Sequence, residues 1–121
     1  MFNQEQDFIV RQIKAIADAI AALIFGKAEV AYVIQDEVNH TETDILFLHL
    51  NEMLDAGNIN EAENLLFDKL NINDKNYLLL AIDFYLKLGT KSDNELENSG
   101  FSREEVEDGF YEVVDMYGIK L

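Results

Sequence analysis

The sequence predicts an all-α single domain, residues 1–121, built as antiparallel helical hairpins behind a long amphipathic N-terminal helix. Apolar residues recur every three or four positions along most of the chain, which predicts about five to seven helices. Proline, which breaks helix interiors, is absent. Three Ser or Thr residues are each followed three positions later by an acid, as in a capping box. The 121 residues are 49% hydrophobic, enough for one domain with its own core.

The N-terminal helix is predicted over residues 4–25, ending at Gly26. Five residues spaced four or three apart form one apolar seam along it: Ile9, Ile13, Ile16, Ile20 and Leu23. The seam can be core, can pair with a second copy, or can lie on a membrane. We favour a shared role, with core on one side and a partner on the other. The membrane alternative is rejected because the polar face carries few Lys and Arg.

The middle of the chain is predicted to hold further helices. Val30, Val33, Ile34 and Val38 keep a helical spacing, so we favour a helix over a strand for residues 28–39. A helix follows from Thr41 or Thr43 to Gly57, and Thr41 with Asp44 resembles a capping box. The next helix is predicted from an N-cap at Asn60 to Leu70, and residues 71–74 are a loop.

The third part of the chain contains the segment that should be most buried. Residues 75–88 are apolar nearly all round, which predicts a central helix rather than the alternative strand. Ser92 with Glu95 opens a short helix to about Asn98, and Ser102 with Glu105 opens a last helix to Tyr117. Four acids line the face of that last helix opposite its apolar stripe: Glu104, Asp108, Glu112 and Asp115.

A weak internal repeat joins Gly57 to Gly89. Aligning the two glycines pairs Leu46 with Leu78 and Leu50 with Ile82. A period near 34 residues with helix–turn–helix units is typical of tetratricopeptide repeats. Because the aromatic landmarks of that motif are missing, we favour two generic helical hairpins.

The charge excludes some partners. Aspartate and glutamate total 24 against 9 lysines and arginines, for a net charge of −15. Nucleic acid and anionic membrane surfaces need clustered basic residues, so we expect neither as a partner. Nine acids and one base lie between Asp93 and Asp115. They form either a docking face for a basic partner or a solvated face that maintains solubility, and we favour the second.

Candidate metal and catalytic residues are few. Glu37 with His40 and His49 with Glu52 have a spacing used by metal sites in helix bundles, but further inward-facing acids are lacking. Residues 93–104 place acids as a calcium loop does, although Asn98 stands where that loop needs glycine. No cofactor motif occurs. A small metal-dependent or carboxylate-based enzyme is therefore the alternative function rather than the leading one.

The compartment is predicted from what the sequence lacks. The chain has no cysteine, which fits a reducing cytoplasm and rules out a disulfide scaffold. Its first residues are acidic rather than basic, unlike a secretory signal. Residues 15–25 are too short and too charged to span a bilayer.

The two ends of the chain carry a resemblance. FNQEQDFIVRQIKAIADAIAALIFGK and DFYLKLGTKSDNELENSGFSREEVEDGFYEVVDMYGI together resemble a small family of bacterial cytoplasmic proteins that carries only a domain-of-unknown-function label. The resemblance implies an all-helical fold with tetratricopeptide-like hairpins, and it implies no catalytic or binding residue. The sequence thus predicts a non-enzymatic protein-interaction module of unknown process, self-associating through the first helix or binding an unknown protein partner.

Overall fold

The computed structural model describes the backbone of residues 4–120 and the side chains of residues 8–120. The described part of the chain is all helical and contains no strand. The helices are α1 (Gln4–Ile20), α2 (Glu42–Asp55), α3 (Ile59–Lys69), α4 (Lys75–Gly89), α5 (Asp93–Asn98) and α6 (Arg103–Met116). The predicted fold class is confirmed, and helices α4, α5 and α6 end within a residue or two of their predicted bounds.

Helix α1 continues into one wider, π-helical turn over Ala21–Phe25. Gly26 then takes the left-handed conformation, with φ of 64°, and its backbone N–H donates to the carbonyl of Ala21. A left-handed residue costs little only at glycine, so the predicted end of this helix at Gly26 is confirmed.

Capping boxes begin three of the helices, as predicted. The side chains of Thr41, Ser92 and Ser102 each accept a hydrogen bond from the backbone N–H three residues later. The carboxylate of the acid at that position accepts the backbone N–H of the Ser or Thr in return. The prediction for α3 is wrong by two residues. This helix begins at Ile59 after Asn58, and the side chain of Asn60 donates instead to the carbonyl of Gly100.

The helix predicted over residues 28–39 is absent. One buried carboxylate, that of Asp44, accepts the backbone N–H groups of Gln35, Asp36 and Thr41 at 2.8, 3.1 and 3.0 Å. It also accepts the hydroxyl of Tyr32 at 2.7 Å. Backbone donors held by a distant side chain cannot form a helical ladder. The apolar spacing predicted a helix with these valines on its buried face, but Val33 and Val38 are exposed.

Helix α4 lies at the centre of the molecule, as predicted. It packs against α1, α2 and α6, while α2 also packs against α3 and α1 against α6. Eight of its residues are buried: Leu78, Leu79, Leu80, Ala81, Ile82, Phe84, Tyr85 and Leu88. A helix buried on nearly all sides fixes the positions of its neighbours, including the pair α1 and α6 that carries the candidate site.

The residues paired by the internal repeat share their surroundings. Leu46 and Leu78 are both buried, as are Leu50 and Ile82. Amphipathic hairpins give such matches whatever their origin, so the tetratricopeptide likeness of the hairpins stays a prediction.

Candidate functional site

The apolar seam of α1 is turned mostly into the chain's own core. Ile13 and Ile20 are 2% and 1% exposed, and Ile9 and Ile16 are half-buried against the core. Leu23, at 78%, is the exposed member of the seam. Helices α4 and α6 cover the centre of the seam. That the rest of the seam binds a partner stays a prediction.

The acidic face of α6 is open to solvent. The side chains of Glu104, Asp108, Glu112 and Asp115 are all exposed. They lie three or four residues apart, so they form one row along the helix. Among the described residues, no lysine or arginine forms an ion pair with these four acids. The row is therefore free to contact a partner.

A groove between α1 and α6 brings the two predicted surfaces together. Its volume is about 470 Å³, and α1 contributes Gln12 and Ile16 to it. The opposite wall comes from α6 and the residues after it: Tyr111, Val114, Asp115 and Ile119. Ile16 of the seam and Asp115 of the acidic row thus line one site, whereas Ile13 and Ile20 are buried in the core.

Four residues of this groove were not predicted: Gln12, Tyr111, Val114 and Ile119. Tyr111, Val114 and Ile119 supply most of its apolar wall. Tyr111 follows Asp108 by three residues and precedes Asp115 by four, so it lies at the edge of the acidic row. The position of Tyr111 beside the acidic row could have been predicted from this spacing. The contact with α1 could not, because it depends on tertiary packing.

Helix α1 extends the apolar edge of the groove toward its own N-terminus. Phe8, Gln12 and Ile16 follow at intervals of four, which aligns them on one edge of a helix. The Phe8 side chain is 60% exposed. An exposed aromatic beside an apolar groove is typical of surfaces that bind another protein.

A half-buried carboxyl, that of Glu63, lies on the opposite side of α6. The Tyr85 hydroxyl donates to Glu63 Oε2 at 2.6 Å, where α3, α4 and α6 meet. Burial raises the pKa of Glu63, the Tyr85 hydrogen bond lowers it, and the charges of Glu105 and Glu112 raise it further, for a net rise. Gly109 leaves room for this pair, since a Cβ there would lie 2.6 Å from Glu63 Oε2.

The histidines considered for metal binding lie on the surface. His40, His49, Glu37 and Glu52 are all exposed. Among the described residues, no group of three or more metal-ligating side chains is close enough together to hold an ion. The first half of the calcium-like segment is folded as helix α5, where Glu95 takes part in the capping box, and Glu104 lies in the first turn of α6.

Arg103, counted with the acidic segment by sequence, is an internal residue. It is 8% exposed, and it donates to the carbonyl of Lys91 at 2.8 Å and to Asp93 Oδ1 at 2.9 Å. The guanidinium therefore joins the end of α4 to the start of α5. Its burial could not be predicted from the charge pattern.

Within the described residues no helix is long and apolar enough to cross a membrane. No curated protein and no solved structure matches the chain. The model of a family of unknown function, DUF6483, matches residues 3–118. The match includes the middle of the chain as well as the two ends that carried the resemblance, and the chain therefore belongs to the DUF6483 family of unknown function.

Proposed function

We propose that the chain is a non-enzymatic protein-interaction module whose α1/α6 groove binds a basic amphipathic segment of a partner protein. The observation that carries the proposal is the placement of apolar and acidic residues in one groove. Ile16, Tyr111 and Val114 offer apolar contacts, and Asp115 adds negative charge beside them. An amphipathic helix with apolar residues on one face and lysines beside them fits such a groove.

Charge favours a basic partner over a second copy of this chain. The chain carries a net charge of −15, and Asp108, Glu112 and Asp115 are exposed beside the groove. Pairing two copies through this face would bring like charges together, which costs free energy, whereas a basic segment is attracted. The predicted homodimer is thus the competing outcome.

The test uses a designed 18-residue helical peptide, about five turns long, with leucine on one face and lysine on the other. Its affinity is measured by fluorescence anisotropy for the wild type, Asp115→Lys and the matched control Asp55→Lys. Asp55 is also an exposed aspartate, at the end of α2, and it does not line the groove. We expect Asp115→Lys to weaken binding at least about fivefold, because it removes one ion pair and adds a charge that repels the peptide, and Asp55→Lys to change it little.

A second pair of variants tests the apolar wall. Ile16→Ala should also lower the affinity of the protein for the peptide, because Ile16 lines the groove. Ile72→Ala removes an exposed apolar side chain elsewhere and should leave the affinity unchanged. Equal effects of the groove and control variants would overturn the proposal. So would a wild-type dimer in sedimentation that Asp115→Lys strengthens, since the groove would then join two copies.

A further inference from the structure

A second, more enclosed cavity lies on the other side of α1. Its volume is about 400 Å³, within the range of about 300–1,000 Å³ that small-molecule sites occupy. Helices α1, α4 and α6 and the segment after Gly26 surround it. The apolar wall consists of Val10, Ile13, Val30, Leu86 and Val106.

The cavity has a mouth toward solvent. Lys14, Glu29 and Thr90 line it and are exposed. The remaining apolar walls are buried or half-buried. A molecule can therefore enter from the surface and bury an apolar body against these walls, which is favourable roughly in proportion to the apolar area removed from water.

One internal cation also lines this cavity. The Arg103 side chain is 8% exposed, and its Nε atom is fully buried without a hydrogen-bond partner among the described residues. The rest of the guanidinium donates to Gly89, Lys91 and Asp93. A buried donor without a partner costs free energy, so an acceptor brought by a ligand would be stabilised there.

We propose that this cavity binds a small carboxylate with an aliphatic body, such as a medium-chain fatty acid. The chain of the ligand lies against Val10, Leu86 and Val106, and the carboxylate accepts from Arg103. Lys14 already pairs with Asp18 and Arg103 with Asp93, so the Nε–H of Arg103 is the donor left for a ligand. An unpartnered guanidinium donor favours a carboxylate head over a cationic one.

The test titrates octanoate, octanol and octylammonium into the protein and follows backbone amide shifts by NMR. Octanoate should bind at least about tenfold tighter than octanol, as expected for a hydrogen bond to a charged group. Amides near Val10, Leu86 and Val106 should shift, and those near Val114 and Ile119 in the groove should not. Equal affinity of the three ligands, or shifts centred on the groove, would overturn the proposal.

Two variants that fill the cavity test the position of the ligand. Gly89→Leu adds a side chain beside Val10, since a Cβ at position 89 would lie 4.0 Å from Val10 Cγ1, an ordinary contact. Val10→Phe enlarges the opposite wall. Either variant should keep the wild-type melting temperature or raise it, and should abolish octanoate binding. Tyr111→Ala in the groove is the matched control and should leave octanoate binding unchanged. A filled variant that stays folded and binds octanoate as the wild type does would overturn the proposal.

Discussion

Asp44 is a buried carboxylate that organises the segment before α2. Its oxygens accept from the Tyr32 hydroxyl and from the backbone of Gln35, Asp36 and Thr41. Burial alone would raise its pKa, but these hydrogen bonds outweigh burial and hold the pKa of Asp44 well below its usual range. The charged form is therefore favoured in the folded protein.

The lowered pKa of Asp44 predicts a loss of stability in acid. Because the folded pKa is depressed, its contribution is present above the unfolded pKa of about 4 and is lost as the pH falls through the folded pKa. Asp44→Asn should lower the melting temperature at neutral pH. By the same linkage, the melting temperature of Asp44→Asn should fall less between pH 7 and pH 3 than that of the wild type.

The control for this prediction is Asp108→Asn, an exposed acid on α6. Its melting temperature should follow that of the wild type across the pH range. Parallel curves for Asp44→Asn and the wild type would contradict the assignment of the acid sensitivity to Asp44.

Gly109 is a helix-interior glycine required by its neighbours. A Cβ at this position would press on the Tyr85 hydroxyl and on Glu63 Oε2. Gly109→Ala should gain about 1 kcal/mol from helix propensity but lose about 1–3 kcal/mol from overpacking, for a net destabilisation. Urea unfolding measures the difference.

A double variant identifies the cause of that loss. Tyr85→Phe removes the hydroxyl that meets the added Cβ, so Gly109→Ala should cost less in a Tyr85→Phe background than in the wild type. Strictly additive free energies of unfolding would argue against crowding between the two residues.

At the scale of one element, α1 divides its apolar seam between core and surface. Ile13 is buried in the core, and Leu23 is exposed in the π-helical turn. Ile13→Ala should cost about 2–5 kcal/mol of unfolding free energy because it leaves a cavity, and Leu23→Ala should cost within about 0.5 kcal/mol. Similar losses in chemical denaturation would show that the seam is not divided in this way.

The helices were predictable because their signals are local. The nearly continuous apolar run of α4 and the capping boxes at Thr41, Ser92 and Ser102 are signals carried by residues close together in sequence. The segment 28–41 was not predictable, since Asp44 is in the next helix and Tyr32 also donates its backbone N–H to Asp83, 51 residues away. Tertiary hydrogen bonds there override the apolar spacing.

The site was predictable in part for the same reason. The acidic row on α6 follows from spacing along one helix. The groove needs α1 beside α6, and the placement of Ile13 and Ile20 inside the core needs α4 as well. The apolar seam of α1 and the acidic row of α6 were therefore predictable, but the side of α1 that faces the core was not.

At the scale of the whole molecule, excess negative charge opposes folding. The chain carries 24 acids and 9 lysines and arginines, and three ion pairs are present among the described side chains. Raising sodium chloride from about 0.05 to about 1 M shortens the screening length to about 3 Å, which weakens repulsion between exposed acids. The melting temperature should therefore rise with salt.

A variant with fewer acids tests the origin of this effect. Replacing Glu104 and Glu112 by glutamine and Asp108 and Asp115 by asparagine removes four exposed charges from α6. This variant should be more stable than the wild type at low salt and gain less from added salt. If added salt raised the melting temperature of both proteins equally, the acids of α6 would not be the source of the effect.

The hydrogen bonds between Asp44 and the backbone of residues 35–41 affect how the sequences of family members can diverge. Three of its four bonds are made to backbone N–H groups, which every residue except proline provides. Mutation can therefore replace the side chain of Gln35 without weakening these bonds, so long as proline is avoided. Asp36 is more constrained, because its carboxylate accepts the backbone N–H groups of Val38 and Asn39. Selection should act on these two acids, while the neighbouring side chains vary over an unchanged backbone path.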